Sequence, residues 1–300
     1  METWTIGNTT ITRIEEQVGP VGLPVDKFLV GFEREAFNRH LEWLVPNHFA
    51  PGTDRMISSM HSWLVRTGKH TILVDGCCGN NKERPWMPRF HQLDTPFLAN
   101  LRAAGVTPED IDIVLCTHLH ADHVGWNTRL ENGRWVPTFP NAKYLFSDIE
   151  DERWNPARTP DMEPARKMVY QDSVLPVVEA GLATKIRGAH SIDDSLRIEP
   201  APGHTPGHVV LKLNSRDQRA LFCGDVVHHA IQVFNPHWNS AFCEDPEQAR
   251  RTRRQVLEHC AGERAVLFPT HFGKPYVAAI RATAEAFLPE FIRPGGRPRC

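Results

Sequence analysis

The sequence predicts an α/β (α+β) fold for its 300 residues. Short runs of apolar and β-branched residues alternate with segments of helical spacing, and this alternation is typical of sheets covered by helices. The chain shows no internal repeat, no low-complexity tract and no Gly/Ser linker. We therefore expect a single domain over residues 1–300, interrupted by an insertion, or arm, at about 20–60.

The first part of the chain predicts two hairpins separated by this arm. Residues 4–15 give two short strands around the Gly7-Asn8 turn, and residues 61–65 and 71–75 give a second pair around Gly68. Within the arm, prolines bracket a helix at about 31–44, whose apolar residues recur at helical spacing.

The rest of the chain alternates strands with helices. A helix over 97–104 stops at Gly105 and is followed by a buried strand over 111–116. Asp245 and Pro246 give an N-cap and a first helical position, so a second helix is expected at about 246–259. Further strands are expected at 143–147, 196–201, 208–213, 220–223 and 265–268.

Composition and charge exclude several classes of function. Lysine and arginine (34) nearly balance aspartate and glutamate (36), which leaves a net charge of −2. Such a chain has no electrostatic footprint for nucleic acid or an anionic membrane, so a small-molecule substrate is expected. The sequence starts without the basic and apolar regions of a secretory signal, and no window is apolar enough for a membrane span. The seven cysteines show no CxxC spacing, so we expect reduced thiols in a cytoplasmic protein.

The strongest chemical signal is His118-x-His120-x-Asp122-His123, which follows the expected strand at 111–116. Imidazole and carboxylate groups are the ligands of zinc, manganese and iron. Alternation at a strand end points His118 and His120 the same way, while the following turn brings Asp122 and His123 to a second point nearby. Four ligands within six residues crowd a single tetrahedral ion, so the motif predicts two metal ions.

Three later segments supply further ligands in the same setting. His204 lies in a Gly/Pro turn after a strand, Asp225 follows Cys223-Gly224 at another strand end, and His271 follows Pro269-Thr270 at a third. A carboxylate such as Asp225 can bridge two ions through its two oxygens.

In these motifs the sequence resembles the metallo-β-lactamase superfamily, over about residues 60–275. The resemblance implies a four-layer αβ/βα sandwich of two mixed sheets flanked by helices, with two divalent metal ions. Zinc is the expected metal, with manganese and iron as the alternatives. It also implies that His118, His120 and His204 bind the first ion, that Asp122, His123 and His271 bind the second, and that Asp225 bridges them.

Within the superfamily the sequence resembles the lactonase and methyl parathion hydrolase-like branch, and this resemblance implies a metal-dependent hydrolase. A metal-bridging hydroxide is expected to cleave a lactone or ester of a small, largely hydrophobic substrate, with Asp122 and Asp225 among the catalytic residues. Phosphotriesterase and thioesterase activities are alternatives on the same fold. Two further alternatives are a mononuclear iron oxidoreductase similar to persulfide dioxygenases and a binding module without catalysis.

Residues around the centre are predicted to contact the substrate. Quorum-quenching lactonases of this family carry a tyrosine three residues after the bridging aspartate, where this chain has His228. We expect His228 or His229 to supply the acid or oxyanion contact instead. Aromatic residues predicted to line the pocket are Trp86, Trp126, Phe234 and Trp238. The 20–60 arm has two alternative roles, as a cover over the mouth of the site or as a homodimer interface.

Overall fold

The computed structural model describes residues 1–284 and 286–296. The chain forms two compact units. The first consists of Met1–Thr3, Asn8–Gln17 and Met60–His190, and the second of Trp4–Gly7, Val18–Ser59 and Ser191–Cys300. Each unit contains a large mixed sheet with helices beside it, so the α/β prediction with two mixed sheets is confirmed.

Most strands are short, and the longest are the two hairpin strands of the N-terminal part. The strands are β1 (Thr3–Ile6), β2 (Thr9–Pro20), β3 (Leu29–Val30), β4 (Phe49–Ala50), β5 (Arg55–Arg66), β6 (Thr71–Val74), β7 (Ile113–Leu115), β8 (Thr128–Glu131), β9 (Arg134–Pro137), β10 (Lys143–Ser147), β11 (Ala183–Ile186), β12 (His190–Ser191), β13 (Leu196–Pro200), β14 (Val209–Ser215), β15 (Gln218–Gly224), β16 (Asn239–Ser240), β17 (Val266–Pro269), β18 (Ala278–Ala282) and β19 (Phe287–Phe291).

The helices are mostly of one or two turns. They are α1 (Val25–Phe28), α2 (Arg34–Asn38), α3 (Leu41–Leu44), α4 (Phe97–Ala103), α5 (Ala121–Val124), α6 (Asp148–Trp154), α7 (Pro164–Ser173), α8 (Leu175–Glu179), α9 (Ile231–Phe234) and α10 (Pro246–Gly262). Across residues 1–284 and 286–296, none has the length and apolar character to cross a bilayer.

The sheet of the first unit follows the order β2-β5-β6-β7-β10-β11. The central strand β7 pairs in parallel with both β6 and β10, and its three residues are buried. A continuous apolar run is what a parallel strand covered on both faces requires. The carboxyl end of β7 leads directly into the histidine-rich motif.

The sheet of the second unit follows the order β12-β13-β14-β15-β17-β18-β19. Strands β15 and β17 are parallel neighbours, so their carboxyl ends lie at the same edge of the sheet, where Asp225 and His271 follow. Helix α10 begins as expected from its Asp245 cap, whose side chain accepts the Gln248 N–H.

The single helix expected at about 31–44 is wrong. The structure has α2 and α3 there, separated by His40 with φ −108° and ψ 0°, which is outside the helical region. The apolar spacing still describes burial, because Phe37 and Leu44 are fully buried in one cluster that also holds Phe28 and Trp238. Tertiary packing satisfies the pattern with two short helices, so a continuous helix is not needed.

Candidate metal centre

The histidine-rich motif runs from the turn after β7 into α5, with His118 and His120 in the turn and Asp122 and His123 in the helix. His118 and His123 are fully buried, and His120 and Asp122 are partly exposed. The Nε2 atom of His118 lies 3.0 Å from Nδ1 of His120, so the two imidazoles point at a common place. The Oδ1 atom of Asp122 lies 3.9 Å from Nε2 of His123. These paired donors are the predicted ligands of the first unit.

Asp75 braces this motif from the end of β6. It is buried, accepts the Thr117 N–H at 2.8 Å and lies 3.0 Å from Nδ1 of His123. The carboxylate therefore fixes the proton of His123 on Nδ1 and leaves Nε2 for a metal, an arrangement typical of histidine ligands. The Oγ1 atom of Thr117 lies 3.1 Å from Nδ1 of His118, so the outer nitrogen of His118 has a partner as well.

A second buried carboxylate, Glu150 of α6, holds the peptide between the first two histidines. It accepts the Leu119 N–H at 3.0 Å and the Trp154 Nε1–H at 2.9 Å. The indole of Trp154 meets the His120 ring edge to face, with centroids 5.1 Å apart. Together these contacts limit the rotation of His120.

In the second unit the donors converge on Asp225, which is 4% exposed. Its Oδ2 lies 3.2 Å from Nε2 of His204 and 3.1 Å from Nε2 of His228, and its Oδ1 lies 3.0 Å from Nε2 of His271. One oxygen therefore faces His204 and the other faces His271.

The outer nitrogens of His271 and His204 also have partners in the protein. The Nδ1 atom of His271 lies 3.1 Å from the Ser59 carbonyl oxygen, and that of His204 lies 3.8 Å from Sγ of Cys243. The Asp225 N–H donates to Nε2 of His208 at 3.0 Å. In His271 and His204 the nitrogen that faces the Asp225 carboxylate is therefore the one left for a ligand role.

Two glycines allow the loops to approach this closely. Gly203 has φ +133°, and a Cβ there would lie 2.3 Å from the Ala249 nitrogen of α10. A Cβ on Gly125 would lie 1.8 Å from the Cys78 carbonyl oxygen. Any larger residue would displace the turn that carries His204 or the turn that follows His123.

His228 and His229 have different surroundings. His228 faces Asp225, and burial lowers its pKa. His229 lies 2.9 Å from the His48 carbonyl oxygen through Nε2 and accepts the Ile231 N–H through Nδ1. Both nitrogens of His229 are thus used within the protein, and burial lowers its pKa to about 3.

The predicted pocket residues lie in varied settings. Trp86 is 41% exposed. Trp126 is buried, stacks on Phe97 and donates its Nε1–H to Glu16 at 2.7 Å. Trp238 is fully buried. Phe234 packs against His40 and Trp43.

Sequence reasoning missed several residues around these donors. Among them are Glu150, which holds the peptide before His120, and Phe242, which precedes the Cys243 that contacts His204. No local pattern marks them, since only the fold brings them to the site.

The donor set fits divalent metal ions. It consists of imidazole nitrogens and carboxylate oxygens, which zinc, manganese and iron share as ligands. Burial of several such groups within about 3 Å of each other is costly unless protons or cations lie between them. The described residues include two groups of His and Asp side chains whose ligand atoms could hold a metal ion.

Comparison with known families agrees with this chemistry. A family model for the metallo-beta-lactamase superfamily matches residues 59–271, well over half of the chain. The chain belongs to the metallo-β-lactamase superfamily. The resemblance seen in the sequence motifs is therefore confirmed, and the match ends at the last predicted ligand, His271.

Two curated relatives are similar over part of their length. A hydroxyacylglutathione hydrolase of Synechococcus sp. is 31% identical over 136 residues, which cover 44% of this chain and 41% of the relative. The N-acyl homoserine lactonase AttM of Azorhizobium caulinodans is 30% identical over 166 residues, covering 49% and 56%. The chain thus spans about half the length of the curated relatives it matches.

Solved structures share the superfamily fold over nearly the whole chain. The hydrolase AbOPH of the beta lactamase superfamily has a TM-score of 0.82 at 22% identity, covering 97% of both chains. AidC, a dizinc quorum-quenching lactonase in complex with a product, has a TM-score of 0.76 at 20% identity, covering 97% and 98%. At these identities the likeness is one of fold.

Proposed function

We propose that this superfamily member is a dinuclear metal-dependent hydrolase that cleaves a lactone or ester bond of a small, largely hydrophobic substrate. The observation that carries the proposal is the setting of Asp225, whose two oxygens face different histidines, His204 and His271, at 3.2 and 3.0 Å. A carboxylate that only oriented one histidine would contact it through a single oxygen, whereas Asp225 uses both of its oxygens.

The ligand assignment rests on family membership and on the order of the motifs. When bound, divalent ions supply a Lewis acid for the substrate oxygen and a water molecule that loses its proton near neutral pH. Zinc is the metal we propose, with manganese and iron as alternatives for this thiolate-free set. The residues that would hold the first ion are His118, His120 and His204, those that would hold the second are Asp122, His123 and His271, and Asp225 would contribute to both.

Other residues of the chain orient the ligands and handle the protons of the reaction. Asp75 and Thr117 hold His123 and His118 in fixed orientations. Asp122 accepts the proton that the attacking water loses and passes it to the leaving group. His228 faces Asp225 with Nε2 and supplies the proton or oxyanion contact, whereas His229 supports the fold through its bond with His48.

The proposal also covers the residues predicted to contact the substrate and the predicted homodimer. Trp86 is accessible for contact with the substrate, and Trp126, Phe234, Trp238 and His229 act through the packing of the surrounding loops. The described cysteines are free, which agrees with a reducing, cytoplasmic setting; Cys300 lies outside the described residues. A homodimer through the 20–60 arm stays a prediction that sedimentation analysis tests.

Phosphotriesterase and thioesterase activities remain the second candidates. The similarity to a hydroxyacylglutathione hydrolase favours the thioester as a comparison substrate. A mononuclear iron oxidoreductase is less consistent with the chain, because Asp122, His123 and His271 would then have no ligand role.

A substrate panel with matched variants tests the proposal. Metal-loaded protein is assayed with lactones, p-nitrophenyl esters, a thioester and a paraoxon-type triester. We expect turnover of lactones or esters that is lost on chelation. His228→Ala should lower kcat by about 100-fold or more, the typical contribution of a general acid, whereas His229→Ala should mainly lower Tm. Equal turnover in wild type and His228→Ala would remove His228 from the mechanism, and failure to hydrolyse any of the panel would overturn the hydrolase itself.

A further inference from the structure

A row of aromatic side chains in the second unit leads from the protein surface to the bridging carboxylate. Phe242 is 44% exposed, and its ring centroid lies 6.0 Å from that of Phe28 in a T-shaped contact. The Phe28 ring lies 6.3 Å from that of His228, again edge to face. His228 in turn lies 3.1 Å from Asp225.

A small ribbon fixes the first two members of this row. Strands β3 and β16 pair antiparallel, with Ser240 opposite Leu29. The Ala241 N–H extends the pairing by donating to the Phe28 carbonyl oxygen at 2.9 Å. Phe28 and Phe242 are therefore held beside each other by main-chain bonds, which do not depend on the identity of the two side chains.

The same segment continues into contact with a predicted metal ligand. Cys243 lies 3.8 Å from Nδ1 of His204, and the Glu244 N–H donates to the His204 carbonyl oxygen at 2.9 Å. Phe242 is thus one residue away from a side chain that contacts His204. Phe242 is therefore connected to the surroundings of Asp225 twice, by ring contacts through Phe28 and His228 and along the chain through Cys243.

We propose that Phe242, packed against the buried ring of Phe28, forms the wall that binds the apolar part of the substrate, and that the substrate class is an ester or lactone with a medium-length alkyl chain or an aryl group. This inference rests on the proposed hydrolase function. Phe242 is a large aromatic side chain left substantially open to solvent, and an alkyl chain laid along it would bury apolar area of both groups. The row itself carries no charge, so it offers nothing to recognise an anionic group.

A chain-length series tests the wall by activity. The p-nitrophenyl esters of acetate, butyrate, octanoate and decanoate are compared in wild type and Phe242→Ala. We expect kcat/KM for octanoate to fall about tenfold, from loss of the apolar contact, and kcat/KM for acetate to change less than about twofold. Phe242→Leu should retain most of the chain-length preference. Val30→Ala, on the same ribbon and 51% exposed, is the control for a disturbed ribbon and should leave the preference unchanged.

Binding of the carboxylate products separates failure of the wall from failure of the proposed function. The dissociation constants of butyrate and octanoate are measured by calorimetry on the zinc-loaded protein. The wall predicts that octanoate binds more tightly than butyrate and that Phe242→Ala removes most of this difference. Turnover with equal chain-length preference in wild type and Phe242→Ala would overturn the wall and leave the hydrolase standing. Chain-length-dependent binding without turnover of any ester would keep the wall and overturn the hydrolase.

Discussion

Replacement of Asp75 by asparagine should weaken metal binding through His123 without unfolding the protein. Asp75 adopts φ +61°, a left-handed conformation that asparagine also tolerates. The amide oxygen of asparagine can still accept the Thr117 N–H. In the wild type Nδ1 of His123 donates to the carboxylate of Asp75. In the variant this N–H would face the NH2 group of asparagine, which is also a donor. The His123 ring must then turn or move its proton to Nε2, the nitrogen needed for the metal.

The structure gives the magnitude of this effect. The variant loses one charge-assisted hydrogen bond, at 3.0 Å between Asp75 and His123, and bonds of this class contribute about 1.5–3 kcal/mol. Since about 1.4 kcal/mol corresponds to a factor of ten, zinc affinity should fall about tenfold to a hundredfold. Loss of an outer hydrogen-bond partner of a metal ligand typically has an effect of this size.

Zinc affinity is measured by competition with a chromophoric chelator, and folding by thermal unfolding of the metal-free protein. Asp112→Asn is the matched control, because Asp112 is an exposed carboxylate of the same unit that accepts the Thr71 N–H at 2.7 Å. It should leave zinc affinity unchanged. Affinities of Asp75→Asn and wild type within twofold of each other would refute the role given to Asp75.

Three further predictions concern buried groups of the first unit. Glu16→Gln should lower the free energy of unfolding by about 1–3 kcal/mol in urea titrations, because Glu16 accepts the N–H groups of Cys78, Gly79 and Trp126; an unchanged midpoint would contradict this. Trp154→Leu should reduce zinc affinity, measured by chelator competition, because the ring that limits His120 is lost; unchanged affinity would argue against that restraint. Burial lowers the pKa of Lys82 from 10.5 to about 7, so the folded state binds this proton less tightly than the unfolded state. The free energy of unfolding of wild type should therefore fall as pH falls from 10.5 towards 7, by at most about 1.4 kcal/mol per pH unit relative to Lys82→Met. Urea titrations at several pH values measure this, and the same pH dependence in wild type and Lys82→Met would contradict the prediction.

The parts of the candidate site that depend on short spacing are the ones that sequence can predict. The motif from His118 to His123 is contiguous, so a strand end followed by a turn is enough to bring its donors together. Asp225 and His271 were accessible to the same reasoning, because each follows a buried strand. The structure places β15 and β17 side by side and in parallel, which explains why residues distant in sequence reach the same carboxylate.

The arm and the aromatic residues were harder to predict. Apolar spacing over 31–44 records which residues are buried, and two short helices satisfy it as well as one long helix does. Trp238 and Phe242 are both aromatic residues near the same ribbon, yet one is fully buried and the other is 44% exposed. Only tertiary contacts distinguish a core aromatic residue from an accessible one, and the sequence carries no local sign of them.

The difference between His228 and His229 has the same origin. Adjacent side chains point in different directions, but the sequence does not show which one faces Asp225. The bond between His229 and His48, which lie 181 positions apart, decides the matter, and it depends on the packing of the arm.

The number of metal ions per chain tests the central claim most directly. Protein purified without added metal, and the Asp225→Asn variant prepared in parallel, are analysed by elemental mass spectrometry together with ester and lactone turnover. The dinuclear hydrolase predicts close to two divalent ions per wild-type chain, and loss of metal and turnover together in Asp225→Asn. A single iron ion per chain, unchanged in Asp225→Asn and without hydrolysis of esters or lactones, would contradict it.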